Sequence, residues 1–323
     1  MEVARLSDIQ GIKIGNSQDM DAATGCTVIL CEQGAVAGVD VRGGAPGTRE
    51  TDLLRPENYV EKIHGLLLAG GSAFGLDAAA GVMAYLEERN IGFDVGVARV
   101  PIVAGAVLFD LVCGNPRIRP DKAMGYEACL QAQSGIWTEG SAGAGTGATV
   151  GKGHGMERAM KGGLGSCCFR VGDVLVGALV AVNCLGDVID PVNGQVVAGA
   201  CRRDTGELLD SEAGLMAALQ GGGDPFRGNT SIGAVMTNVA LTKAQAGKIA
   251  SMAHNGYART MRPAHTLYDG DTIFTLSVGD LVADVNAVGM LAARAVEGAV
   301  LSAVRQASAL AGFPAWRDGR KRE

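Results

Sequence analysis

The chain has 323 residues, 47% hydrophobic and 19% charged, which excludes a disordered or fibrous protein and leaves room for a large core. Glycine stands out at 49 residues without a collagen-like repeat, so tight turns and close backbone approaches are expected, and with aromatics at 4% Ala and Val must fill the core. The formal net charge is −6 and the one basic block is the short stretch Arg317 to Arg322, which argues against a nucleic-acid partner, since phosphates need a concentrated basic surface.

The start, Met1-Glu2-Val3-Ala4-Arg5, lacks a basic region followed by an apolar run, and no window holds about 18 uninterrupted apolar residues; a cytoplasmic protein without a membrane span is expected. Residues 26–31 and 34–41 read as two strands joined by a short turn, a hairpin-like opening. Residues 58–68 and 73–88 are expected to be helical, broken by Ala69-Gly70-Gly71-Ser72, with Ser72 as the N-cap of the second helix. There Leu76, Ala79, Ala80, Met83 and Leu86 form an apolar stripe, and Asn90 is the C-terminal stop.

Residues 139–153 make the most glycine-rich loop, and 174–182 an apolar strand that ends at Asn183 before Gly186-Asp187 and the short run Val188-Ile189. The polar, glycine-rich residues 202–229 read as a surface linker that delivers the chain to a buried strand at 232–236. Thr242 caps a helix from Lys243 to about Thr260, residues 271–276 form a strand, and 284–307 form a long helix whose Ala287, Ala292, Ala295 and Ala299 allow close contact. Strand pairs alternating with helix pairs predict an α/β fold of helices layered over sheets, with 1–323 as a single domain.

The eight cysteines form no CxxC pair and no histidine stands at ligand spacing from them, so they read as reduced, buried small hydrophobes, and no metal site is expected. The loop ending at Lys152 invites a phosphate-loop reading, but the spacing fails: Thr146 stands where a Walker loop needs Gly, and Gly153 where it needs Ser or Thr. No GxGxxG opens a helix after a strand, and no GxSxG elbow surrounds Ser72. What remains is a loop of exposed amides ending in one cation, suited to an oxyanion or a carboxylate.

Asn229-Thr230-Ser231-Ile232 places a hydroxyl at the head of a buried strand. Cleavage of its own amide would leave Thr230 with a hydroxyl and a new α-amino group, so nucleophile and base would belong to one residue. By spacing alone this is also an ordinary loop-to-strand junction. Asp269-Gly270-Asp271 is either a solvated turn or a crowded carboxylate pair in which one pKa must rise. Asn183 is either a turn cap or a donor to a developing oxyanion.

Nine blocks in one order settle these alternatives by resemblance. They are residues 23–30, 39–54, 66–96, 100–111, 139–152, 177–191, 228–238 (GNTSIGAVMTN), 241–246 and 262–274 (RPAHTLYDGDTIF). The chain resembles the DmpA/BapA family of self-processing aminopeptidases, which includes the nylon-oligomer hydrolases. The resemblance implies a four-layer α-β-β-α sandwich of the kind also found in the similar ornithine acetyltransferases. It implies self-cleavage between Asn229 and Thr230 into subunits 1–229 and 230–323, which stay paired, as a homotetramer of such pairs, with no cofactor or metal. Thr230 matches the nucleophile, and Asp269, Asp271, Lys152 and Asn183 match the nylon-hydrolase branch. Members of the β-amino-acid branch carry Ser and Glu near this turn instead. Phe109 stands where some members have Tyr, which removes a hydroxyl from substrate orientation; Gly71 and Ser72 join it as substrate-binding candidates. The expected activity is hydrolysis of short peptides or amides through an acyl-threonine. The alternatives are acyl transfer from the same intermediate to an amine, and an inert small-molecule binding protein.

Overall fold

The computed structural model describes residues 1–221 and 228–319. Its first part runs β1 (Glu2–Ala4), β2 (Lys13–Asp19), β3 (Thr24–Val41), β4 (Gly47–Arg49), β5 (Lys62–Ala69) and α1 (Ala78–Glu87). A short hairpin, β6 (Phe93–Asp94) with β7 (Arg99–Val100), leads to β8 (Val103–Val107) and α2 (Lys122–Ala132). Then come β9 (Thr149–Val150), β10 (Met160–Lys161), β11 (Gly163–Val171), β12 (Val174–Val182), β13 (Asp187–Ile189), β14 (Val196–Ala198) and α3 (Ser211–Gly221). The last part is β15 (Ile232–Val239), α4 (Lys243–Thr260), β16 (Met261–Arg262), β17 (Thr272–Leu281), α5 (Val285–Gln306) and α6 (Trp316–Gly319).

The main strands pair in the order β1-β11-β12-β15-β17-β3-β5-β8-β4, with β2 also on β3. β3 joins two sheets. Cys26 to Leu30 pair with β5, which meets β3 again only at Ala35 and Val36, and Val36 to Val41 pair with β17. Between them the register shifts and Gly34 takes φ 83°, so the strand turns from one sheet into the other.

Alternation along the strands fills three separate cores. On β12, Val176, Ala178, Val180 and Val182 face α4 and α5, while Leu175, Leu179 and Ala181 face the second sheet. On β5, Leu66 and Leu68 face the first sheet, while Leu67 and Ala69 face α1 and α2. The layers are therefore α4/α5, sheet, sheet and α1/α2, the four-layer α/β sandwich expected from the resemblance. Glycine makes the layers fit closely: a Cβ on Gly165 of β11 would lie 2.2 Å from the Ala303 backbone of α5, and one on Gly38 of β3 would lie 2.2 Å from the Gly247 backbone of α4.

Several expectations hold. Thr242 caps α4 through the Gln245 amide, and the Gln245 side chain returns a bond to the Thr242 N–H, a reciprocal capping box. Asp284 caps α5. All eight cysteines are free thiols, seven of them buried.

Others are corrected. Residues 26–31 and 34–41 form one strand, not a hairpin; the hairpin lies between β2 and β3. Residues 58–68 are not helical, because the run from Ile63 to Ala69 is buried on both faces as β5, and such a run carries no period to tell strand from helix. Gly71, with φ 80°, and not Ser72, precedes the 3-10 turn at 72–77, and no side-chain cap is made. Residues 202–229 are not all linker: α3 begins at Ser211, whose N–H and hydroxyl both donate to the buried Asp187 carboxylate at 2.7 and 2.6 Å. Residues 222–227 of that linker, Gly222-Gly223-Asp224-Pro225 included, lie outside the described residues, as does the end of the basic tail.

Candidate active site

β15 lies between β12 and β17, antiparallel to the first and parallel to the second. At one edge of the sheet the ends of these strands and their turns converge: Asn183 leaves β12, Asn229 and Thr230 enter β15, and Asp269 to Asp271 enter β17. Asn229 and Asp269 continue the parallel ladder as an isolated bridge. The five residues matched by resemblance, Thr230, Asp269, Asp271, Lys152 and Asn183, are all buried here, Thr230 with 5% of its surface exposed.

The Asn229–Thr230 junction is held from four sides. The Thr230 N–H donates to the Asn183 carbonyl at 3.0 Å, and the Gly270 N–H donates to the Asn229 carbonyl at 3.0 Å. The Thr230 hydroxyl donates to that same Asn229 carbonyl oxygen. The next residue is fixed too, the Ser231 N–H donating to Asp271 Oδ1 at 2.9 Å. Gly270 has no substitute, because a Cβ there would lie 2.7 Å from Thr230 Oγ1.

The two aspartates differ in their surroundings. Asp271 accepts three N–H donors: Ser231 on Oδ1, and the His265 backbone and Nδ1 on Oδ2 at 3.0 and 2.9 Å. Asp269 Oδ2 accepts from the Thr266 N–H and hydroxyl at 2.9 and 2.6 Å, while Oδ1 receives a single long bond from Leu185 N–H at 3.4 Å. Burial, and then the neighbouring Asp271 charge, push the Asp269 carboxyl up to about 6. One carboxylate is an anchor and the other retains acceptor capacity, the split that crowding of two carboxylates predicts.

Lys152 donates to both the carbonyl and the side-chain Oδ1 of Asn183, each at 2.9 Å. Burial lowers its ammonium to about 8, against partial recovery from nearby groups including Asp269. Asn183 Oδ1 also takes the Thr149 N–H at 3.0 Å, and its Nδ2 donates to the Phe109 carbonyl at 3.0 Å. Flipping the amide would set Nδ2 against the Lys152 ammonium, donor against donor, so this orientation is fixed by its partners.

In the uncleaved chain the Asn183 amide is engaged by Lys152, Thr149 and Phe109, and the donor on the Asn229 carbonyl is the Gly270 N–H. One expectation is corrected: the loop at 139–153 does not present exposed amides. Residues 142–152 are buried, and its N–H groups go to internal partners, Gly143 to Gln18, Ala144 to Thr27, and Lys152 to the Leu185 carbonyl. Phe109, Gly71 and Ser72 adjoin the site by backbone: Phe109 through Asn183, Gly71 through the Asp110 carboxylate at 2.6 Å, and Ser72 through the Leu108 carbonyl at 2.9 Å. Sequence reasoning missed the Gly270 N–H, His265 and Thr266. All three lie within or beside RPAHTLYDGDTIF, but their roles come from backbone geometry that no spacing encodes.

Residues 4–317 match the model of peptidase family S58. The chain belongs to that family. It is 42% identical to an uncharacterized aminopeptidase of Mycobacterium bovis, over 97% of each chain. It is 32% identical to a 6-aminohexanoate-oligomer endohydrolase of Kocuria sp., over 92% of this chain and 85% of that one. The L-aminopeptidase D-Ala-esterase/amidase of Ochrobactrum anthropi, described as a variant of the Ntn hydrolase fold, shares the fold with a TM-score of 0.73 at 20% identity, covering 96% of this chain and 88% of that chain. The S58 chain is thus a hydrolase of peptide or amide bonds with an Ntn-type fold, and the resemblance to the DmpA/BapA family holds.

Proposed function

We propose that this chain is an N-terminal-nucleophile amide hydrolase that cleaves itself between Asn229 and Thr230 and then works through an acyl-threonine. The observation that carries the proposal is the Asn229 carbonyl oxygen, which accepts from both the Thr230 hydroxyl and, at 3.0 Å, the Gly270 N–H. A hydroxyl beside the carbonyl it is to attack, and an N–H donor on the oxygen that becomes the oxyanion, are what amide attack requires.

In maturation, Thr230 Oγ attacks the Asn229 carbonyl carbon and its proton passes to Asp269, whose Oδ1 is the less occupied carboxylate oxygen of the pair. The Gly270 N–H holds the developing oxyanion, a contribution worth about 3–4 kcal/mol for a well-placed donor. The C–N bond breaks, the Thr230 nitrogen takes the proton, and water then hydrolyses the ester to give subunits 1–229 and 230–323. Departure of the Asn229 carbonyl frees the Gly270 N–H for a substrate carbonyl. In turnover the new α-amino group, with a reference pKa of about 7.7–8.0, takes the hydroxyl proton. Lys152 keeps Asn183, and through its carbonyl the Thr230 nitrogen, in register.

The two subunits should remain one body, because β15 is paired on both sides and β17 sits between β15 and β3. Separation would tear the middle of the sheet. Association of these pairs into a homotetramer and a cytoplasmic location complete the proposal, and the substrate class is short peptides or oligomeric amides of the kind named for the relatives. A denaturing gel tests the core of it: active protein should give bands of about 23 and about 10 kDa, scaled from chain length. One band at 32.9 kDa in active material refutes it.

A further inference from the structure

We infer that His265 is a positioning residue for the Thr230 attack, acting through Asp271; this rests on the proposed role of Thr230. His265 lies in the segment between β16 and β17 with φ 60°, a left-handed backbone that an L-residue adopts at a cost. That conformation turns two donors of one residue, the backbone N–H and the ring Nδ1–H, onto the same Asp271 oxygen, at 3.0 and 2.9 Å. The opposite oxygen of Asp271 takes the Ser231 N–H at 2.9 Å, one peptide after the proposed nucleophile. His265, Asp271 and Ser231 are therefore a continuous strut that fixes the start of β15 relative to the Gly270 donor.

The bond to a carboxylate assigns the ring proton to Nδ1. Nε2 is buried and without a hydrogen-bond partner among the described residues, so the ring has one polar task, which is to hold Asp271. Packing sets the ring plane: His254 of α4 stands edge-on with centroids 4.9 Å apart, and Tyr257 lies 6.2 Å away. His254 is itself fixed by the Asp40 carbonyl at 2.9 Å, and burial holds its pKa down to about 4, so it adds no positive charge against His265 near neutral pH. Losing Nδ1–H would leave Asp271 Oδ2 on the His265 backbone N–H alone, a single donor about which the carboxylate can pivot, and would loosen Ser231, and with it Thr230, relative to the Gly270 donor.

The test compares full-length wild type with His265→Asn, His265→Gln, His265→Ala and Thr230→Ala. Asn tolerates the left-handed backbone and offers an amide N–H near the Nδ1 position; Gln reaches the Nε2 position instead. Each is translated in vitro, and self-cleavage is followed on a denaturing gel, with thermal melting as the measure of folding. Turnover on 6-aminohexanoate oligomers is read as separate kcat and KM. The expected result is His265→Ala and His265→Gln slowed roughly ten- to hundredfold, the rate equivalent of one charge-assisted hydrogen bond, with kcat affected and KM little changed. His265→Asn should return to within about threefold of wild type. Asn no faster than Gln, or Ala as fast as wild type, overturns the inference. Should Ala fail to fold, the Asn–Gln contrast still decides. Thr230→Ala separates the two claims: if it cleaves at the same bond, the nucleophile is wrong whatever His265 does.

Discussion

Two lysines serve the glycine-rich loop, and they carry similar chemistry to different ends. Lys161 in β10 and Lys152 at the loop's close are both buried, and burial lowers both ammonium groups to about 8. Lys161 donates to the Thr146 and Ala148 carbonyls at 2.6 and 2.7 Å and ends there. Lys152 donates to Asn183, whose carbonyl also receives the Thr230 N–H. Burial and a depressed pKa are thus common to both; what separates them is one further hydrogen bond, in a chain that links Lys152 and not Lys161 to Thr230.

The largest effect should come from the end of that chain. Thr230→Ala is expected to remain a single band on a denaturing gel and to lose at least about 10⁴-fold in turnover, as loss of a covalent nucleophile does. If turnover survives, the distinction between the lysines has no reaction to serve.

The lysines themselves can then be exchanged for Met. Lys152→Met should slow self-cleavage by about 10²–10³-fold, the scale of losing a preorganised polar group at a reaction centre. Lys161→Met should leave the rate per folded molecule within about threefold but lower stability by ~1–3 kcal/mol, because two buried carbonyls lose their donor. Equal slowing of cleavage by both variants would erase the contrast.

A subtler effect follows from pH. The raised Asp269 carboxyl predicts that self-cleavage, followed in freshly translated chain, falls as pH drops through about 6. Turnover by matured enzyme should instead show an acid limb near the α-amino value of about 7.7–8.0. Coincident limbs in the two assays would mean that one group serves both reactions.

A last effect is on stability. Both lysines have folded-state values near 8 against an ordinary value of 10.5, so between those limits the unfolded chain binds more protons than the folded one. Stability should rise with pH across that window, by up to ~1.4 kcal/mol per pH unit for each lysine, and the gain is lost as pH falls through about 8. Lys161→Met should remove about half of the rise, as read by denaturant titration at several pH values.

The helix α4 was legible in the sequence because cap and apolar stripe agree there, Thr242 with Ile249, Ala253 and Tyr257, and α5 because its length and small residues leave no strand reading. β5 was not, since a strand buried on both faces shows no alternation, and β3 was split because Gly34 resembles a turn when it is a bend within one strand. At the site, Thr230 and the aspartates stood out as residue types, yet spacing left each with an ordinary alternative. The family resemblance, and not periodicity, brought Lys152 and Asn183 to them. Hydrogen-bond direction stayed out of reach: nothing in the letters Asn183 and Gly270 says that a glycine amide faces the Asn229 carbonyl while the asparagine is already occupied.

N-terminal sequencing combined with intact mass on purified, catalytically active protein bears most directly on the central claim. The expected result is two chains, the second beginning Thr230-Ser231-Ile232-Gly233. A single continuous chain in material that turns over an amide, or a second chain starting at any other residue, would contradict it.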